Sequence, residues 1–209
     1  MYRITDILRS PDSNEVTVLC SGDSYRITAH DLEALEISVG DDIDEDIIAA
    51  LEEATERLKC IKKAFDFLSY GDLSEKQLRD KLYKKFPKEL SADVASLMAE
   101  RGYVDDRKLA ERYAETFYEF KNMGIGKIRE QLYRRGISRE IIDEVLEKYI
   151  SEDQHQRVIE FIAKKYDKSK MNDPAYKRKV YAGCIRAGFP SSDISDVLRN
   201  FDSDFESEY

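Results

Sequence analysis

Gly126 and Lys127, inside "MGIGKIREQLYRRGIS" (residues 123–138), stand together at a helix start, as they would in a phosphate-binding loop. Such a loop needs a further glycine five positions before Gly126 and a Ser or Thr after the lysine to hold magnesium. Lys121 and Ile128 occupy those positions, so a nucleotide site of this kind is excluded. Asp105 and Asp106 suggest a metal pair, but adjacent acids at a helix start are better read as an N-cap and a first-turn charge. His30 and His155 lie near neither each other nor Cys20, Cys60 and Cys184, and the cysteines lack CxxC spacing. Reduced thiols and no metal or cofactor are therefore expected. The remaining carboxylates fall on helix surfaces and caps, so an enzyme is not expected.

The elements that carry these residues are mostly helical. Four prolines and nine glycines in 209 residues, with 37% charged and 42% hydrophobic residues, favour long amphipathic helices around a buried core. No run of about 18 apolar residues exists to span a membrane. "MYRITDILRSPD" has the make-up of neither a secretory signal nor a transit peptide, so a cytoplasmic protein is expected. Charge is unevenly spread: three basic and fourteen acidic residues in 1–55, twenty-one and eighteen in 56–150, ten and eleven in 151–209. An acidic leading module thus precedes a body able to meet an anionic or mixed partner.

Alternation in "EVTVLC" (Val16, Val18, Cys20) and "SYRIT" (Tyr25, Ile27), with "SGD" between, predicts a hairpin, to which "YRITDIL" supplies a third strand. Thr28 caps a short helix carrying Leu32 and Leu35, and Gly40 ends the module. Ile47, Leu51, Ala54, Leu58, Ile61, Phe65 and Leu68 then recur at helical spacing, to a stop at Gly71. Ser74 and Gln77 form a capping box for a helix with Leu78 and Leu82, which "FP" (Phe86, Pro87) breaks; Val94, Leu97 and Met98 mark the next.

The three-helix pattern repeats. Leu109, Tyr113 and Phe117 line one helix, Ile128 and Leu132 a second, and Ile141, Val145, Leu146 and Tyr149 a third. A further copy begins near Glu152, with Val158, Phe161 and Ile162, then Val180 and Cys184 after Asp173 and Pro174, then Ile194, Val197 and Leu198. Leu78, Ile128 and Val180 correspond at offsets of 50 and 52 residues, the mark of a stacked helical repeat. The expected fold is mainly α: three tandem three-helix repeats in an elongated, curved body behind a small α+β module. The divisions are 1–43 (hairpin module), 44–104 (linking helix and first repeat), 105–150 (second repeat) and 151–209 (third repeat and acidic tail). Gly124 and Gly126 are read as link glycines that supply a flexible turn, and Gly136 and Gly188 as helix stops in the left-handed conformation.

Basic residues gather on the second helices. Lys76, Arg79, Lys81, Lys84, Lys85 and Lys88 surround the single acid Asp80; Lys121, Lys127, Arg129, Arg134, Arg135 and Arg139 surround the single acid Glu130; and Lys177, Arg178, Lys179 and Arg186 have none between them. Such a stripe can follow a phosphate backbone or an acidic protein groove. The same pattern also suits solvated faces with cations at helix C-termini. Tyr83 and Tyr133 either lie at a packing seam or touch a partner.

"FDFLSYGDLSEKQLRDKL", "RGYVDDRKLAERYAE" and "GIGKIREQLYRRGISREIIDEVL" resemble, in order, segments of the RecX regulatory proteins, over about residues 57–200. Leu109 stands where that family typically has a bulky aromatic, and "IRAG" replaces the third "RRG"-like segment. A monomer is expected, and the resemblance implies that it binds along RecA recombinase filaments, meets DNA mainly through the filament, and hinders filament growth, ATP turnover and strand exchange without catalysis. Lys84, Lys85, Arg134 and Arg135, then Lys127, Arg129, Lys177 and Arg186, are the expected contacts. A stand-alone DNA-binding helical protein and a helical-repeat interaction scaffold are the alternatives.

Overall fold

The computed structural model describes residues 1–11, 13–150 and 154–206. The chain divides into two compact units, one of Met1–Asp72 with Leu78–Tyr103, the other of Leu73–Gln77 with the chain from Val104 onward.

In the first unit, β1 (Tyr2–Arg9), β2 (Glu15–Cys20), β3 (Asp23–Thr28) and β4 (Asp42–Ile43) form an antiparallel sheet in the order β3-β2-β1-β4. The β2–β3 turn is the two residues Ser21 and Gly22, both at positive φ (51° and 98°), which matches the twist of the strands it joins. In β1, Ile4 and Ile7 are three apart and would face opposite sides of a regular strand. A bulge at Thr5 (Ile4 pairs Cys20, Asp6 pairs Leu19) brings both onto the core formed by Val16, Val18, Cys20, Ile27, Leu32, Ile43 and Leu51.

Helix α1 (Ala29–Leu35) opens on a capping box in which Thr28 Oγ1 accepts from the Asp31 N–H and the Asp31 carboxylate accepts from the Thr28 N–H. Asp44, in the acidic run after Gly40, caps α2 (Glu45–Ser69), and Glu45 and Asp46 complement its dipole, so part of the module's acidity is helix-start chemistry. The expected α2 stripe is displaced near its end: Cys60 and Ala64 are buried, while Phe65 is exposed and meets the Tyr103 ring edge-on at 4.8 Å. Helix α3 (Glu75–Leu82) ends in a turn, and Pro87 opens α4 (Lys88–Glu100), which packs on α2.

The second unit holds two three-helix repeats, α5 (Asp106–Glu115), α6 (Ile125–Arg134) and α7 (Arg139–Ile150), then α8 (Gln154–Lys165), α9 (Pro174–Ala187) and α10 (Ser191–Glu206). The expected start of the third repeat near Glu152 lies outside the described residues. After α5 the chain widens into a π-helical turn, Thr116–Phe120, which buries Phe117 and Tyr118 side by side. Each repeat closes its own core: Leu109, Ile128, Leu132, Ile142 and Leu146 in one, Val158, Ile162, Val180, Cys184 and Ile194 in the other. Leu78, Ile128 and Val180, which align in the repeat, are all fully buried.

Candidate functional site

The two glycines that resemble a phosphate loop do a different job. Gly124, the N-cap of α6, has an ordinary φ of −70°, so backbone freedom is not what requires glycine there. Space is: a Cβ on Gly124 would lie 2.3 Å from the Gly188 carbonyl carbon, and one on Gly126 would lie 3.1 Å from the Gly188 oxygen. The Gly124 N–H donates to the Ala187 carbonyl (2.8 Å) and the Gly126 N–H to the Gly188 carbonyl (3.0 Å). The free donors of one helix start thus meet the free acceptors of another helix end, so the positive end of one dipole lies against the negative end of the other. An incoming phosphate finds these N–H groups already engaged.

A related contact occurs one repeat earlier. Ser74, fully buried, accepts from the Gln77 N–H in the expected capping box and donates through Oγ to the Arg135 carbonyl at 2.5 Å. Gly136, at φ +86°, lies so close to Lys76 that a Cβ would come within 2.5 Å of that side chain. The first turn of α3 therefore meets the end of α6 as the first turn of α6 meets the end of α9. Asp105 caps α5 by accepting from the Lys108 N–H, while the half-buried Asp106 accepts from the Glu75 N–H at the start of α3. The two carboxylates serve different helices, and among the described residues no group of three or more His, Cys, Asp or Glu side chains converges.

The expected basic contacts fall into distinct environments. Lys84 and Lys85 are exposed, in the turn after α3 rather than on a helix. Arg135, at the C-cap of α6, is half-buried: its guanidinium lies 4.4 Å from the Tyr113 ring and 5.3 Å from Phe117, and Nη1 donates to the Gln131 carbonyl at 2.9 Å. It is a packing residue of the second repeat, because a planar cation over stacked rings is held better than one in water. Lys127 (2.6 Å) and Arg134 (2.5 Å) share Glu130, and Arg129 pairs with Asp143 of α7. The hydrogen bond from Lys127, with the attraction of Arg134, holds the Glu130 carboxyl below its usual range. Lys177 is half-buried on α9, and Arg186 is exposed.

Two hollows flank α6. One, toward α9, is lined by Lys127, Glu130 and Arg186 with the exposed Ile185; the other, toward α7, by Arg129, Tyr133, Arg139 and Asp143. Lys127 and Arg186, from consecutive repeats, are thus brought together, and Arg134 joins them through Glu130. Tyr133 is exposed, with the Arg139 guanidinium 5.9 Å from its ring. Arg139, Ile185 and the two acids were not singled out as contact candidates; only the fold places them beside the basic residues.

A relative from Chlorobium phaeobacteroides, named Regulatory protein RecX, is 32% identical over 142 residues, 66% of this chain and 92% of that protein. The chain belongs to the RecX family. A regulatory protein RecX from Oceanobacillus iheyensis is 29% identical over 206 residues, 96% of this chain and 72% of that protein. The model of the RecX second three-helix domain matches residues 105–146, which include Lys127, Arg129, Arg134 and Arg135. In fold the chain is similar to a crystal structure of regulatory protein RecX, with a TM-score of 0.79 at 24% identity over 94% of this chain and 98% of that one. A RecX structure from Lactobacillus salivarius gives 0.59 at 18% identity over 70% and 97%. RecX relatives carry the name of regulatory proteins, and among the described residues no helix is long and apolar enough to cross a membrane.

Proposed function

We propose that this RecX-family chain binds RecA recombinase filaments on DNA and restrains their growth, ATP turnover and strand exchange, acting by occupancy rather than by catalysis. The observation that carries the reading is the cationic α6 surface, where Lys127, Arg129 and Arg134 lie beside Arg186 and the exposed Tyr133. Such a surface suits the phosphates and carboxylates that a nucleoprotein filament presents together. Lys84 and Lys85 in the first unit and Lys177 in the second give further attachment points. Once one engages, the others bind intramolecularly, so weak contacts sum to avidity.

RecA ATPase activity on single-stranded DNA tests this. Adding the chain lowers the steady-state rate, and Arg134→Glu with Lys127→Glu weakens the effect. An unchanged rate with the intact chain removes the proposal. Tight, steeply salt-dependent binding to bare DNA without filament inhibition favours a DNA-binding protein acting alone.

A further inference from the structure

Helix α6 holds cations and anions at contact distance. Glu130 bonds Lys127 three residues before it and Arg134 four residues after it, and Asp143 on α7 bonds Arg129. Both carboxylates line the hollows described above, Glu130 both of them and Asp143 the one toward α7. Three of the cations expected to meet a polyanion are therefore already matched by two acids of the same unit. Exposed pairs of this kind add little to folding. They matter more to an incoming phosphate, which must displace a carboxylate held at hydrogen-bond distance.

We propose that Glu130 and Asp143 are specificity-determining residues that act as internal anions on Lys127, Arg129 and Arg134, so that bare single-stranded DNA is held weakly. A partner that adds contacts elsewhere displaces them. This rests on the assignment of α6 as a contact face. An intramolecular carboxylate differs from a dissolved counterion in staying at high local concentration whatever the salt. It lowers the number of phosphates the helix neutralises, and with it the salt dependence of binding.

The test uses the full chain and a fluorescent single-stranded oligonucleotide, read by anisotropy across a salt series without RecA. Glu130→Gln with Asp143→Asn frees three cations. Affinity at low salt is expected to rise about tenfold, and the slope of log K against log salt to steepen by about 2, at roughly 0.7 per phosphate neutralised on a single strand. Glu89→Gln with Asp93→Asn removes the same charge from exposed positions on α4 and is expected to change affinity less than about threefold. Glu130→Gln alone, which frees Lys127 and Arg134, gives a smaller change of the same sign and serves if the double variant folds poorly. No gain in DNA affinity from either site variant overturns the proposal, as does an equal gain from the α4 control. Because RecA is absent from the measurement, failure of filament inhibition would remove the proposed function and leave this result to stand or fall separately.

Discussion

The Gly126 N–H donates to the Gly188 carbonyl at 3.0 Å, joining the start of α6 to the end of α9. Gly188 is at φ +90°, and a Cβ there would lie 2.1 Å from the Lys127 backbone nitrogen. Gly22, at φ +98°, has open space around it. Gly188→Ala is therefore expected to cost a backbone strain of about 1–3 kcal/mol plus an overpacking cost of similar size. Gly22→Ala carries the first alone. Urea unfolding of the two variants, with hydrogen exchange along α6 and α9, checks the difference.

Arg134 and Arg135 are neighbours with different roles. Arg135→Ala loses the contact with Tyr113 and Phe117 and is expected to lower stability by about 1–2 kcal/mol. Arg134→Ala, at an exposed pair, is expected to stay within about 0.5 kcal/mol of the parent while weakening inhibition of RecA. Thermal melts set beside the ATPase assay separate the two.

Ser74→Ala removes both a helix cap and the donor to the Arg135 carbonyl. The expected loss is about 1–3 kcal/mol. An equal substitution at Ser169, whose hydroxyl bonds an exposed Asp167, is expected to cost a few tenths. Denaturation midpoints compare them.

Asp105 and Asp106 are adjacent and titrate in opposite directions. The Lys108 backbone N–H lowers the Asp105 carboxyl, so its contribution is fully present above the ordinary aspartate range and is lost as pH falls from that range through the lowered folded value. Burial raises Asp106 against the opposing bond from the Glu75 N–H, so its ionised form carries a cost that is relieved as pH falls through its raised value. Asp105→Ala is thus expected to be destabilised at neutral pH, with the deficit shrinking toward acid. Asp106→Asn, whose amide oxygen still accepts from Glu75, is expected to gain at neutral pH and lose that gain toward acid. Stability measured from pH 7 to 3 checks both signs.

Cys60 and Cys184 are fully buried, and burial pushes both thiols up to about 11. At pH 8 about one in a thousand is thiolate, so alkylation by iodoacetamide is expected only on opening. Mass spectrometry during a urea titration then reports each unit through its own cysteine.

Much of this was legible in local pattern. The hairpin turn at "SGD", the Thr28, Ser74 and Asp173 helix starts and the recurrence of Leu78, Ile128 and Val180 follow from residue type at fixed spacing. β4 was not, because two residues show no alternation, and the β1 bulge was not, because Ile4 and Ile7 simply look out of phase. The role of Gly124 was hidden for another reason: its partner, Gly188, is far away in sequence. Arg135 read as a surface charge because its neighbours in the chain are basic, whereas its neighbours in space are aromatic.

The joints also have a direction. Helix α6 has no side-chain cap, since its first N–H groups are given to the following repeat. Helix α9 begins instead with Pro174, which has no N–H to give, and with Asp173, whose carboxylate accepts from the Ala175 N–H. The Leu82 carbonyl at the end of α3 is likewise taken locally, by the Lys85 and Phe86 N–H groups of its own turn. Within the second unit the α6 start and the α9 end thus consume each other's polar groups, while the α9 start closes on its own cap, so the pairing of these two helices leaves no backbone valence for a further helix to be added at that joint.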